Sequence, residues 1–193
     1  MTAAGTNLET EIKLRMPDAA EALARLVRAG LRVTRARTFE SNTVFDTPES
    51  SVRARRELVR LRRSGEKTVL TFKGAPFYSG GLKHREEIEV DVSPAEGMET
   101  ILARMGYTAA LRYEKFRTEL ARDGEPGVAT IDETPMGVFV ELEGPADWIG
   151  RTAAGLGSGP EDFITQSYLS LWEDHCRTSG RGSSQGMVFG PEL

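Results

Sequence analysis

The sequence lacks several features that whole classes of protein require. Cys176 is its single cysteine, so neither an intramolecular disulfide nor a cysteine-rich metal site can form. No apolar run approaches the roughly 18 residues of a membrane span, and residues 1–7 lack the apolar core of a secretion signal. There is no excess of positive charge, because 29 acidic residues against 25 Lys and Arg give a formal net charge of −4. We therefore expect a soluble cytoplasmic protein with no nucleic-acid or membrane partner.

The composition is that of a folded protein. Hydrophobic residues make up 39% of the chain and charged residues 28%, unlike a disordered sequence. Periodic segments fill residues 1–176, and a length of 193 residues suits one domain. Residues 177–193 are rich in Gly and Ser and show little periodicity, which predicts a flexible C-terminal tail. Within this tail, the apolar residues Met187 to Phe189 could dock on the folded domain.

Alternation of apolar and polar residues predicts about eight strands. They cover residues 8–14, 42–46, 58–62, 67–73, 85–92, 113–121, 128–132 and 138–143. Apolar positions at helical spacing, bounded by Pro and Gly, predict helices over residues 17–29, 93–105, 147–156 and 160–176. The loop between residues 77 and 84 separates two of the strands.

The polar faces of the predicted strands are almost entirely charged. In the first strand Glu9, Glu11 and Lys13 share one face, since alternate side chains point to opposite sides. A solvated sheet face would explain one such strand, but here it must explain about seven together. A sheet with its apolar face under helices and its charged face inward can close into a barrel. We predict an α+β fold: an eight-stranded antiparallel β-barrel tunnel with a polar, charged interior and helices packed outside.

A charged interior is predicted to bind a charged ligand. About seven acids and seven bases would destabilise a barrel interior unless they were paired or bound ions. A polyphosphate suits both signs, because Arg and Lys bind its oxygens while the accompanying Mg²⁺ or Mn²⁺ binds carboxylates. The acid pairs Glu9/Glu11 and Glu141/Glu143 could converge on such cations.

The same residues resemble a known family. Glu9-Thr10-Glu11-Ile12-Lys13 resembles the ExExK signature of CYTH proteins, the triphosphate tunnel metalloenzymes. Further segments follow in family order: 42–48 resembles xYFDTP, 59–62 LRLR, 70–74 LTxKG, 85–89 REExE, 113–117 the KxR strand, and 131–143 the D…GxFxEIE ending. The likeness spans roughly residues 7–176. One departure is the charged run 53–57 where the family usually has a glycine-containing turn, and we expect that run to be solvated.

The resemblance implies a tunnel in which Mg²⁺ or Mn²⁺ supports activity on a triphosphate. The metal ligands it implies are Glu9, Glu11, Asp132, Glu141 and Glu143. The substrate-binding residues it implies are Lys13, Arg60, Arg62, Lys73, Arg85, Lys115 and Arg117. The catalytic set is then Glu9, Glu11, Lys13, Glu141 and Glu143. Glu87 and Glu89 line the same tunnel by analogy, and Glu89 is equally well explained as a structural partner of a basic residue. The family also allows a homodimer.

Three functions stay open at this point. The favoured one is hydrolysis of tripolyphosphate, thiamine triphosphate or a nucleoside triphosphate, because no nucleoside pocket is evident in the sequence. The second is class IV adenylate cyclase activity, which converts ATP into cyclic AMP and pyrophosphate at the same residues. The third is a non-catalytic polyphosphate- or nucleotide-binding module. Phe39 is the one candidate for stacking an organic group, His84 a minor catalytic candidate, and Trp148 and Trp172 are expected to be packing residues.

Overall fold

Pairings between neighbouring strands are antiparallel throughout the computed structural model, which describes residues 7–180 and 186–190. These residues form strands β1 Asn7–Met16, β2 Arg32–Asp46, β3 Leu58–Ser64, β4 Lys67–Lys73, β5 Phe77–Ser79, β6 Leu82–Asp91, β7 Thr108–Ala121, β8 Val128–Thr134 and β9 Gly137–Glu143. The helices are α1 Ala19–Arg28, α2 Ser51–Ala54, α3 Ala95–Arg104, α4 Ala146–Gly155 and α5 Tyr168–Ser179, with a 3-10 turn at Pro160–Asp162.

Eight of the strands close into a barrel. The order β1-β9-β8-β7-β2-β3-β4-β6 returns to its start, because β6 also pairs with β1 from Asn7 opposite Glu87 to Glu11 opposite Lys83. Strand β5 lies outside this ring and pairs with β6 where β4 has ended. The predicted eight-stranded antiparallel barrel with external helices is confirmed.

Register brings the charged faces together inside the barrel. Residues directly opposite one another in an antiparallel pair project to the same side of the sheet. Lys13 lies opposite Glu141 and Glu11 opposite Glu143, and the same relation continues around the ring through Arg117 and Asp132. The charged faces predicted from the sequence therefore meet on the inner surface of the closed sheet, which faces the tunnel.

The apolar face of the sheet is covered by helices. Ile12 and Leu142 pack against Leu26 of α1 and against Trp148 and Ile149 of α4 in the largest buried cluster. Helix α1 begins after Asp18, whose side chain accepts the Glu21 N–H at 2.8 Å. None of the described helices combines the length and apolar character needed to cross a membrane. Trp148 and Trp172 are packing residues, as expected, with exposed fractions of 1% and 4%.

Several elements differ from the sequence-based expectation, and three of them bear on the barrel. Strand β2 begins at Arg32, ten residues before the predicted start at 42. Its first half forms because it pairs with β7, and it was missed because it lacks apolar alternation of its own. Strand β5 occupies part of the predicted loop. Helix α5 begins at Tyr168, not at 160, because Ile164 is extended and exchanges backbone hydrogen bonds with Lys13 at 2.8 and 2.9 Å.

The predicted boundary between domain and tail also differs. Helix α5 runs to Ser179, so a boundary at 176 falls within the helix. Residues 186–190 lie against β7, where Met187 forms a bridge with Tyr113. The rest of the predicted tail, residues 181–185 and 191–193, lies outside the described part of the chain.

Asp46 holds the turn between β2 and α2. Its carboxylate accepts the backbone N–H groups of Thr47, Val52 and Arg53 at 2.7, 2.9 and 3.0 Å. Burial alone would raise the pKa of Asp46, but these donors lower it below its ordinary value.

We expect Asp46→Ala to lower the free energy of unfolding by about 1–2 kcal/mol at neutral pH, because backbone donors lose their acceptor. The folded-state pKa is the lower one, so this stabilisation is present above the unfolded pKa of about 3.9 and is lost as pH falls through the folded pKa. Urea titrations at neutral pH and at the most acidic pH where both proteins fold measure the difference. A gap of the same size at both pH values would contradict this account.

Candidate active site

The barrel encloses a charged cavity of about 260 Å³. All the predicted site residues except Asp132 line it: Glu9, Glu11, Lys13, Arg60, Arg62, Lys73, Arg85, Lys115, Arg117, Glu141 and Glu143. They come from β1, β3, β4, β6, β7 and β9. Strand parity explains the grouping, because each of these side chains lies on the inward face of its strand.

Three carboxylates converge at one place on the wall. Oxygens of Glu9, Glu87 and Glu143 lie within 4.8 Å of one another. These residues belong to β1, β6 and β9, which are neighbours because β1 pairs with both of the others. Lys73 partly neutralises the group, with its Nζ 2.6 Å from Glu9 and 3.1 Å from Glu87. Glu143 forms no ion pair with any described residue.

Repulsion within this acidic cluster shows in its acid–base behaviour. Restricted hydration at the tunnel mouth, together with the charges of Glu9 and Glu141, raises the pKa of Glu143 to about 8. The pKa of Glu9 is also raised, by burial and by Glu11 and Glu87, against the opposing effect of Lys73. A divalent cation would relieve this repulsion, and three carboxylate oxygens are a donor set suited to Mg²⁺ or Mn²⁺. Glu9, Glu87 and Glu143 therefore fit a metal.

Two other predicted metal ligands are paired with lysine and arginine. Glu11 binds Lys13 at 3.0 Å and also Lys83. Burial would raise the pKa of Glu11, but these two lysines hold it well below its usual range. Glu141 lies 3.2 Å from Lys13 and 3.3 Å from Arg117. Either carboxylate would have to exchange a cationic side chain for a metal ion.

Asp132 projects into the barrel from β8 and is covered there by its own hydrogen-bond partners. It is 0% exposed and accepts hydrogen bonds from Lys115 Nζ at 2.9 Å, from Arg117 at 2.6 and 2.7 Å, and from the Tyr168 hydroxyl at 2.7 Å. Burial would raise the pKa of Asp132, but Arg117 and Lys115 hold it far below its ordinary value. These contacts make Asp132 a counter-charge of two predicted substrate-binding residues, and its predicted role as a supporting metal ligand stays a prediction.

Glu89 positions two of the arginines that line the cavity, Arg60 and Arg62. Its carboxylate accepts hydrogen bonds from Thr71 at 2.8 Å, Arg62 at 3.2 Å and Arg60 at 3.3 Å. This is the structural alternative considered for Glu89. Arg60 also donates through Nη1 to the Tyr113 hydroxyl at 3.1 Å, while its buried Nε has no partner among the described residues. Nη1 carries two N–H groups and donates one to Tyr113, so Arg60 keeps an N–H there for a ligand in the cavity.

Arg85 is held by backbone carbonyl groups. It donates to Gly74 at 2.5 Å, to Arg56 at 3.0 Å and to Lys73 at 3.4 Å. These bonds tie β6 to the segments that flank β3 and β4. Arg85 therefore contributes positive charge to the tunnel from a position that the backbone already fixes.

The sequence analysis missed some residues that line the cavity or lie beside it. Lys83 is buried against Glu11 and shares the inward face of Arg85, but its position was assigned to a loop. Glu40 is 1% exposed and lies 3.8 Å from Lys115; a strand predicted to start at 42 excluded it. Tyr168 enters the cavity from α5, and strand periodicity carries no signal for it.

Other candidates lie outside the cavity lining. His84 bonds Thr10 at 2.9 Å and stacks on Phe77 with ring centroids 4.9 Å apart. Phe39 follows the opposite parity to Glu40 and packs against Phe116 at 5.3 Å, so it does not stack a ligand inside the tunnel.

The charged run 53–57 is solvated, as expected. Arg53, Arg55 and Arg56 are exposed. Arg53 pairs with Glu173 at 2.7 Å and Arg55 with Glu57 at 2.8 Å. These pairs account for the run without a phosphate ligand.

Comparison with known proteins identifies relatives of this chain. The family model of the CYTH domain matches residues 7–150. A protein of Methanocaldococcus jannaschii, provisionally named an adenylate cyclase, is 27% identical over 174 residues, which are 85% of this chain and 98% of that protein.

Solved structures share the fold. A provisionally named adenylate cyclase from Vibrio parahaemolyticus superposes with a TM-score of 0.75 at 18% identity, covering 88% of this chain and 99% of that one. A provisionally named adenylyl cyclase from Hippeastrum, described as having a dominant triphosphatase activity, gives 0.64 at 19% identity over 90% and 97%. At these identities the likeness shows the barrel fold alone.

Proposed function

We propose that this chain, which belongs to the CYTH domain family, is an enzyme that hydrolyses a triphosphate in its tunnel with the help of Mg²⁺ or Mn²⁺. Membership of the family confirms the resemblance found in the sequence. The observation that carries the proposal is the acidic cluster Glu9, Glu87 and Glu143 facing a cavity that Arg60, Arg62, Lys73, Lys115 and Arg117 also line. Cation and polyanion sites in one cavity suit a metal-bound triphosphate.

The acidic cluster would hold the cation through Glu9, Glu87 and Glu143. A bound divalent ion supplies positive charge that polarises phosphoryl oxygens and lowers the pKa of water. Two further predicted ligands, Glu11 and Glu141, hold Lys13 between them. Burial would lower the pKa of Lys13, but these carboxylates raise it above its ordinary value, so Lys13 keeps its charge.

The basic side chains bind the phosphate oxygens and stabilise charge as the reaction proceeds. Their burial strengthens each interaction, because the surroundings are less polarisable than water. Water attacks the terminal phosphorus, the bond to the bridging oxygen breaks, and tripolyphosphate gives orthophosphate and pyrophosphate. No cysteine or histidine lies among the described lining residues, which agrees with water as the nucleophile.

Cyclisation of ATP is the second candidate, supported by the provisional names of the Methanocaldococcus and Vibrio relatives. In that reaction the ribose 3′-hydroxyl attacks the α-phosphorus and pyrophosphate leaves. The aromatic side chains among the described lining residues are Tyr113 and Tyr168, both buried and both hydrogen-bonded to protein groups. Neither presents a free face for adenine, which favours hydrolysis.

Product identification tests the proposal. The protein is incubated with Mg²⁺ or Mn²⁺ and, separately, with tripolyphosphate, thiamine triphosphate and ATP, and the products are separated and identified. We expect orthophosphate from tripolyphosphate, and none when EDTA removes the cation. Cyclic AMP and pyrophosphate from ATP would replace the hydrolase proposal with a cyclase. Binding of all three without product would indicate a binding module.

A further inference from the structure

A short C-terminal segment takes the place of a barrel strand beside β7. Strand β8 pairs with β7 only from Phe116 to Ala121, which leaves the earlier part of that β7 edge without a strand partner. Residues 186–190, here called the C-terminal strap, lie on this edge. Met187 forms a parallel bridge with Tyr113, and the Glu114 N–H donates to the Met187 carbonyl at 2.8 Å. The strap thus satisfies backbone groups that β8 does not reach.

The strap is seated by side-chain contacts as well. Met187 is 0% exposed and packs with Tyr113, Phe139, Tyr168 and Trp172. At Gly186 any Cβ would collide with the Arg112 carbonyl oxygen, so the close approach of the two backbones requires glycine.

The end of the strap is held in the same way. The Phe189 N–H donates to the Glu114 carboxylate at 3.1 Å. The Phe189 ring packs 5.4 Å from that of Phe116, on the outer face of β7. These contacts give the strap one position on β7.

Tyr113, which the strap contacts, also contacts a basic side chain of the cavity. Tyr113 lines the tunnel, and its hydroxyl accepts the Arg60 Nη1–H at 3.1 Å. Arg60 Nη2 is held by Thr71 at 3.1 Å and Glu89 at 3.3 Å. Nη2 therefore donates both its N–H groups to protein groups, whereas Nη1 carries a second N–H without a described partner. An unpaired N–H on a cation that lines the cavity is a donor suited to a phosphoryl oxygen.

We propose that the C-terminal strap is a positioning element for the triphosphate. It fixes Tyr113, Tyr113 orients Arg60, and Arg60 then offers its remaining Nη1–H to a phosphoryl oxygen. The strap itself does not touch the ligand. The identity of that ligand rests on the function proposed above.

Two changes detach the strap in different ways. One protein ends after Ser179, and the other is the full chain with Gly186→Val, whose side chain cannot fit against Arg112. Tripolyphosphate is titrated calorimetrically into each protein in EDTA, where no cation supports turnover. We expect both changes to raise the Kd about tenfold, or about 1.4 kcal/mol. Val188→Ala, at an exposed strap position, is the matched control and keeps the wild-type Kd.

A second measurement separates positioning from a general loss of structure. Mn²⁺ binding without tripolyphosphate, followed by electron paramagnetic resonance, stays within about twofold of wild type, because the acidic cluster lies on β1, β6 and β9. Tyr113→Phe alone raises the Kd to a similar extent, and adding Gly186→Val to it has little further effect.

Several outcomes overturn the inference. One is an unchanged Kd for tripolyphosphate in both strap variants. Another is a double variant in which the effects of Gly186→Val and Tyr113→Phe on the Kd add in full. A third is a loss of Mn²⁺ affinity that matches the loss of tripolyphosphate affinity. If the shortened chain does not fold, Gly186→Val decides. A wild-type protein that does not bind tripolyphosphate contradicts the proposed function, whereas wild-type binding with unaffected strap variants contradicts this inference alone.

Discussion

Replacing Glu143 by Gln is expected to lower cation-dependent turnover of tripolyphosphate by on the order of 100-fold, because loss even of a group that only orients a metal ligand costs about 10–100-fold. Glu143 belongs to the acidic cluster and has no ion-pair partner among the described residues. Gln keeps the shape but removes the charge that would bind the cation. Because the pKa of Glu143 is raised to about 8, its charge opposes folding near neutral pH. The melting temperature of the metal-free variant therefore equals or exceeds that of wild type.

Turnover is measured as the steady-state rate at saturating Mn²⁺, and the melting temperature is measured by calorimetry in EDTA. Glu133→Gln is the matched control, since Glu133 is ten residues earlier, on the outer face of β8, where it pairs with Arg37 at 2.7 Å. That control keeps its turnover. Loss of stability in metal-free Glu143→Gln, or turnover close to wild type, would mean that Glu143 is not a cation ligand.

Replacing Asp132 by Ala is expected to destabilise the metal-free protein, unlike the replacement of Glu143. The change leaves Lys115 and Arg117 without their nearest counter-charge and the Tyr168 hydroxyl without its acceptor. Breaking a buried ion pair by removing one partner costs about 3–5 kcal/mol. We expect a loss of that size in the free energy of unfolding from urea titration in EDTA.

The neighbouring Glu133→Ala provides the comparison for this variant. Its partner Arg37 is about half exposed, and surface pairs contribute about 0–1 kcal/mol. If Asp132→Ala were as stable as Glu133→Ala in EDTA and lost only its Mn²⁺ affinity, Asp132 would be a metal ligand, as the resemblance implied, and not a structural counter-charge.

Strand periodicity predicted the tunnel because it reports side-chain direction. In β1 the alternation is complete, so Glu9, Glu11 and Lys13 could be assigned to one face from the sequence, and closure of the barrel put that face inside. The first half of β2 carried no such signal. Its partner is β7, and pairing between distant segments stabilises a strand that is polar on both faces.

Which carboxylates meet was not readable from the sequence, because it depends on register between strands. Glu87 joins Glu9 and Glu143 only because β6 closes the barrel with Asn7 opposite Glu87. The same register puts Lys83 against Glu11 and so withdraws Glu11 from the cluster. The sequence allowed Met187 to Phe189 to dock, but their place on β7 was not readable, since it depends on a backbone hydrogen bond from Glu114 and on the burial of Met187 among residues distant in the chain.

The pairing of Lys73 with Glu9, of Arg60 and Arg62 with Glu89, and of Lys115 and Arg117 with Asp132 means that the tunnel carries its own counterions. On nucleic acids a binding protein displaces mobile salt ions, and its affinity falls steeply as salt rises. Under the proposed function, an entering polyanion would replace carboxylates that are covalently part of the wall and cannot diffuse away. Ligand entry would then be an exchange of partners within the protein, with few ions released to the solvent.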